Sequence, residues 1–167
     1  ADKNVGTGKA VTVSGYSISG ADAGNYTLVQ PAGVTANITA ANLAVTGVTA
    51  ANKVYDGVTT ATLGGSATIT VLGTDAVSLG GVGVGVFADK NAGTGKAVTI
   101  SGYSISGADA GNYILTQPAG VTANITAASL AVTGAVAANK VYDATTAASL
   151  SGATITPLGT DAVTLVA

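Results

Sequence analysis

Besides tyrosine, only two kinds of ionisable side chain are available for chemistry in this sequence. Every acid is an aspartate (Asp2, Asp22, Asp56, Asp75, Asp89, Asp109, Asp143, Asp161) and every base a lysine (Lys3, Lys9, Lys53, Lys90, Lys96, Lys140). Without His or Cys there is no Ser–His or Cys–His nucleophile pair, no redox dithiol and no ordinary zinc site. Without Arg there is no bidentate phosphate clamp, and six dispersed Lys do not make the basic footprint that nucleic acid requires. Eight Asp leave carboxylate-pair catalysis as the formal remainder, and nothing in their spacing favours it. The sequence therefore predicts a protein that is not an enzyme, with no catalytic, cofactor-binding or metal-binding residue and no cofactor.

Five local patterns invite a functional reading, each with a structural counterpart. Lys3–Lys9 and its copy Lys90–Lys96 suggest a phosphate loop, but Gly8-Lys9 is followed by Ala10 and then by a strand, so a Gly-bearing turn is the better reading. Gly20–Tyr26 and Gly107–Tyr113 present Asp and Asn oxygens, yet calcium needs about six to eight ligands and an Asx-type turn accounts for the residues. Lys53 and Lys140, with Asp and Asn nearby, raise an isopeptide crosslink; no Glu is available as the usual catalytic carboxylate. Tyr16, Tyr26, Tyr55 and their copies suit core or joint packing better than a sugar platform, since with one Phe and no Trp they are nearly the only large side chains. Asn25, Asn37 and Asn124 open N-x-[ST] triplets, which arise easily in a Thr-rich chain.

The elements that position these residues follow from a repeat. Ala1–Thr39 returns as Ala88–Thr126, and Tyr55 returns as Tyr142, a shift of 87; the register slips by one near Gly64–Ser66, so Gly73 maps to Gly159. Between copies Val13 becomes Ile100, Thr27 becomes Ile114 and Val29 becomes Thr116, while Tyr26/Tyr113 and Leu28/Leu115 are unchanged. Residues two apart share a strand face, so Tyr26 and Leu28 fall on one face and the varying pair on the other. A period near 87 is too long for a short-repeat solenoid and suits a small self-contained domain.

Period-2 alternation predicts strands at Lys9–Ser14, Tyr26–Gln30, Val34–Thr39, Leu43–Gly47, Lys53–Asp56, Ala67–Leu72, Ala76–Leu79 and Val82–Phe87. Gly24-Asn25, Asp56-Gly57, Gly64-Gly65 and Gly73-Thr74-Asp75 supply turns between them. The expected fold class is all-β, in tandem antiparallel β-sandwich repeats of about 87 residues. The preferred frame has residues 1–40 as the C-terminal half of one repeat, 41–127 as a complete repeat and 128–167 as the N-terminal half of the next; units at 1–87 and 88–167 are the alternative. Only 8% of residues are charged, but the uncharged run Gly57–Thr74 is broken by glycine and threonine, so no membrane insertion is expected in this segment. No signal peptide is read at the start; the chain lacks an initial Met and is expected to be an excerpt of something longer. With no Cys, burial and sheet hydrogen bonds must supply stability.

The pieces LAVTGVTAANKVYDGVTTATL, FADKNAGTGKAVTISG and GADAGNYILTQPAGVTANIT together resemble the YDG-type repeat of very large bacterial surface proteins, the filamentous-haemagglutinin-like and other repetitive adhesins. The second copy departs from the motif, reading Tyr142-Asp143-Ala144. The resemblance implies Ig-like sandwiches strung along an exported protein, extracellular or on the bacterial cell surface, and implies no ligand for the repeat. The expected function is a structural stalk that spaces a distal binding domain from the cell. Its expected partners are neighbouring repeats of the same chain, with no nucleic acid. Self-assembly into extracellular fibres by strand or half-domain complementation is one alternative. A repeat that itself binds glycan or host protein is another.

Overall fold

Alternating Val, Thr and Ile separated by Gly, Asn and Asp fold here into strands and turns, as β-branched residues at period two favour. The computed structural model describes residues 2–166. The protein is all-β, with several sheets, one of them a curled half-barrel. Among the described residues the helical turns are 3-10 turns at Ala23–Asn25 and Ala110–Asn112, and no helix is long and apolar enough to cross a membrane. The strands are β1 Gly6–Ala10, β2 Thr35–Ile38, β3 Ala41–Ala44, β4 Thr46–Ala50, β5 Lys53–Val54, β6 Thr60–Ala61, β7 Leu63–Thr68, β8 Ser78–Phe87, β9 Gly93–Ser106, β10 Tyr113–Thr116, β11 Thr122–Thr126, β12 Val136–Ala137 and β13 Leu150–Ser151.

Two compact units divide the chain. The first comprises Ala1–Gly47, Ser66–Val82 and Gly102–Gln117. Within it β1 pairs antiparallel with β2, with an irregularity between Gly6 and Lys9, and β10 pairs parallel with β3, Tyr113 opposite Ala41 and Thr116 opposite Ala44. Its buried apolar residues are Leu43, Val45 and Tyr113. Gly81 is held at φ +80, and a Cβ there would lie 2.2 Å from the Gly102 carbonyl oxygen, so only glycine allows this approach.

The second unit comprises Val48–Gly65, Gly83–Ser101 and Pro118–Ala167. It carries most of a five-stranded sheet in the order β5-β11-β9-β8-β6. β11 is antiparallel to β9, with Thr122 opposite Ala97, and parallel to β5, with Ile125 opposite Lys53; β6 lies antiparallel along the end of β8. Val48, Ala61, Phe87, Val98, Ile100, Ala123 and Ile125 are buried. Along β8 the glycine face turns inward, where Leu63 and Ala61 press on Gly85, and Val82, Val84 and Val86 face solvent.

Three expectations need correction. The pairing is not wholly antiparallel, because β3/β10 and β5/β11 run parallel; roughly seventy intervening residues supply the long crossover that parallel pairing demands. Gly64-Gly65 lies inside β7 rather than at a turn, and that strand ends at Thr68 instead of continuing to Leu72. Tyr26–Gln30 forms no strand, although its copy does as β10. The strand that pairs with β10, Ala41–Ala44, has no counterpart 87 residues earlier in this sequence, and β structure depends on such a partner.

Candidate functional site

The tripeptide Asp-Lys-Asn, which precedes each Gly-Thr-Gly-Lys strand segment, and the Leu-Gly-Thr-Asp corner each occur twice, and the fold brings one of each together in each unit. In the first unit the Lys3 ammonium is ion-paired with Asp75 through Oδ1 and stands 3.6 Å from Asp109. The Tyr113 hydroxyl donates to Asp75 Oδ2 at 2.7 Å and accepts the Leu72 N–H at 2.9 Å. Around this pair Asn112 accepts the Val5 N–H at 2.9 Å and donates to Asn4 at 3.0 Å, and Asp109 accepts the Ala76 N–H at 2.8 Å. In the second unit Lys90 donates to Asp161 Oδ1 at 2.6 Å, and the Tyr55 hydroxyl donates to Asp161 Oδ2. The same ammonium lies 5.7 Å from the centre of the Tyr55 ring, within reach of a cation–π attraction. With a shift of 87 for the lysines and 86 after the slip, Lys3–Asp75 and Lys90–Asp161 are the same contact made twice.

The electrostatics follow from these partners. The Lys3 ammonium, then the Tyr113 hydroxyl, hold Asp75 below the usual carboxylate range; Lys90 and Tyr55 do the same for Asp161. Their carboxylates in turn raise Lys3 and Lys90. Burial, and then the hydrogen bond to Asp75, raise the Tyr113 phenol. Each joint flanks a cavity: about 450 Å³ beside Leu72, Ala41 and Tyr113, and about 290 Å³ beside Leu158, Ala128 and Tyr55. A larger cleft of about 650 Å³ is lined only by residues 18–23 and 26–29, with Asp22 its one charged residue.

The remaining motif residues close local turns. Lys9 pairs with Asp2 and donates to the Asn4 carbonyl at 2.6 Å; its copy Lys96 pairs with Asp89 at 2.7 Å. These ammonium groups fold back on the Asp-Lys-Asn loops, and the Gly-Thr-Gly-Lys segments expected as a turn before a strand lie inside the strands, opening β1 and β9. Lys53 donates to Asp56 at 2.7 Å and to the Val58 and Thr60 carbonyls at 2.7 and 3.1 Å, with the Phe87 ring 5.5 Å away. All three of its protons have acceptors. Lys140 repeats the clamp with Asp143 and Thr145, and Ala144, where the first copy has Gly57, takes φ +59. Asn37 and Asn124 accept the Gly8 and Gly95 N–H groups at 2.9 and 2.7 Å. Asp22 makes no side-chain cap to its 3-10 turn. Tyr16, Tyr26 and Tyr142 are exposed, and no group of three or more Asp is gathered as if for a metal among the described residues. Sequence reasoning missed Lys3, Asp75, Lys90 and Asp161; the signal present was the paired recurrence of ADKN and LGTD at almost equal offsets.

Fold and site together define an all-β repeat chain whose recurring polar contacts join one part of the sequence to another. A model of the YDG domain matches residues 1–36 and 39–121, and the chain belongs to that family. No curated protein and no solved structure matches it.

Proposed function

We propose that this chain is a non-enzymatic stalk segment of an exported bacterial surface adhesin, built from tandem Ig-like sandwiches that space a distal binding domain from the cell. One observation carries the reading: among the described residues every buried apolar side chain, from Leu43 to Ile125, falls inside a single period, 41–127. Most equivalents outside it are exposed, Leu130 at 41% and Val132 at 54% against 2% for Leu43 and 3% for Val45, while Val13, the counterpart of Ile100, is half-buried. That contrast supports a self-contained module at 41–127, flanked by half-repeats at 1–40 and 128–167. Parallel pairing of early and late strands of the period supports a chain that leaves each module in the direction it entered. With the side-chain amines, the carboxylates other than Asp22 and the Tyr55 and Tyr113 hydroxyls engaged in turns and joints, the geometry favours cohesion over turnover.

Small-angle scattering tests the stalk. Two copies of the chain joined through a VGVGVF segment, the sequence of Val82–Phe87, keep the repeat register, and each added repeat lengthens the particle by about 35 Å. A fused protein no longer than the single chain sinks the reading.

The outward stripe Val82, Val84 and Val86 on β8 favours a second reading, an extracellular filament assembled through strand surfaces. Light scattering after size exclusion separates the two. Concentration-independent fibres that Val84→Lys abolishes favour the filament, and monomers favour the stalk.

A further inference from the structure

The two joints share a lysine–aspartate pair at equivalent repeat positions but carry different tyrosines. Asp75 receives Lys3 from the preceding repeat and Tyr113 from its own; Asp161 receives Lys90 and Tyr55, both from the preceding repeat. Tyr113 and Tyr55 are not repeat equivalents. The counterpart of Tyr113 at the second joint falls 87 positions on, past residue 167, and that of Tyr55 at the first falls before residue 1. Each joint therefore displays a different tyrosine on a common lysine–aspartate pair.

We infer that a joint between complete YDG repeats is a four-membered clasp, in which one aspartate holds the lysine and tyrosine of the preceding repeat and the tyrosine of its own. The interaction surface is the Leu-Gly-Thr-Asp corner, and the partner it fits is the Asp-Lys-Asn turn and Tyr-Asp motif of another copy of the same repeat.

Acceptor capacity permits the clasp. Both lysines occupy Oδ1 and both tyrosines Oδ2, and each carboxylate oxygen offers about two lone-pair sites, so the second hydroxyl displaces neither existing partner. The cavities agree: equivalent residues Leu72 and Leu158, Ala41 and Ala128, and Asp75 and Asp161 line both, with Tyr113 on the wall of one and Tyr55 on the wall of the other. The Leu72 N–H, bonded to the Tyr113 oxygen, reports on the hydroxyl, and Leu158 is its equivalent.

The inference rests on the tandem-stalk reading, and the in-register fusion of two full chains tests them separately. In the fusion, Tyr26 of the second copy takes the position of Tyr113 relative to Asp161. Amide exchange at Leu158 is expected to slow relative to the single chain. Tyr26→Phe in the second copy, which keeps the ring and removes the hydroxyl, is expected to speed it about five-fold. In the single chain Tyr113→Phe is expected to speed Leu72 exchange by a similar factor. Leu158 exchange that is the same in fusion and single chain, or that ignores Tyr26→Phe, overturns the clasp. Scattering from the same fusion judges the stalk independently: an elongated particle with an indifferent Leu158 leaves the stalk standing without the clasp, and a compact particle removes the stalk whatever the amide does.

Discussion

Ala144 sits at φ +59 where the first copy of the motif has Gly57 at φ +83. A side chain in the left-handed region costs about 1–2 kcal/mol, so Ala144→Gly is expected to steady this turn by about 1 kcal/mol. Slower exchange of the Thr145 amide, which is tied to Asp143, is the measurement. Gly81→Ala does the opposite, adding left-handed strain and a contact with the Gly102 carbonyl, and is expected to lower the thermal midpoint. The joint carboxylates give a pH limit on the acid side. Asp75 and Asp161 titrate below their ordinary value of 3.8 in the folded chain, so the unfolded chain takes up protons first. Their stabilisation is full above 3.8 and is lost as pH falls through the lower folded values. Tyr113 sets the alkaline limit: its folded value lies above 10.0, so its contribution is present below 10.0 and lost as pH rises through the folded value. Leu72 amide exchange and near-ultraviolet circular dichroism of the tyrosines, followed at both extremes, should show the acid loss, which Asp75→Asn with Asp161→Asn should remove.

Near-identical segments give unlike elements in this chain. GTGKAVTVSGYSIS runs as strand only over Gly6–Ala10 in the first copy, whereas GTGKAVTISGYSIS is strand from Gly93 to Ser106 in the second. One methylene, Val13 against Ile100, does not explain that difference; β8 and β11 beside β9 do. This marks what the sequence could and could not disclose. Alternation around Val34–Thr39 and Val82–Phe87 located strands because a period of two survives in any partner context. The face assignment of Tyr113 and Leu115 against Ile114 and Thr116 likewise matches the burial along β10. The parallel partners of β10 and β11 were hidden, since a pairing across about seventy residues leaves no local trace. The joints were hidden for a similar reason: Lys3 and Asp75 each look like solvated turn residues until the fold closes the gap. Context also predicts unequal mutants. Ile125 is 2% exposed and its copy Ile38 is 38% exposed, so Ile125→Ala is expected to cost about 2–5 kcal/mol and Ile38→Ala less than about 1 kcal/mol. Urea midpoints of the two variants check the difference.

For the molecule as a whole, the stalk proposed above predicts that length scales with repeat number and that each joint withstands neutral pH and moderate salt. Raising ionic strength is expected to loosen the half-exposed Lys90–Asp161 pair more than the apolar interior, because screening acts on solvated charges. Amide exchange at Asp161, whose N–H is tied to the Leu158 carbonyl, compared in high salt with exchange at Tyr55, whose N–H is tied to the Thr126 carbonyl, would show it. The parallel seams β3/β10 and β5/β11 bear on how such a stalk answers a pull. When the two ends of a repeat are drawn apart, the strands of each seam slide past one another along their length. Their backbone hydrogen bonds then resist together, in shear, instead of parting one at a time like a zipper. A stalk of such repeats hauled on by flowing liquid would thus meet the load with its seams side-on, and single-molecule extension of a tandem array should give high, evenly spaced rupture peaks.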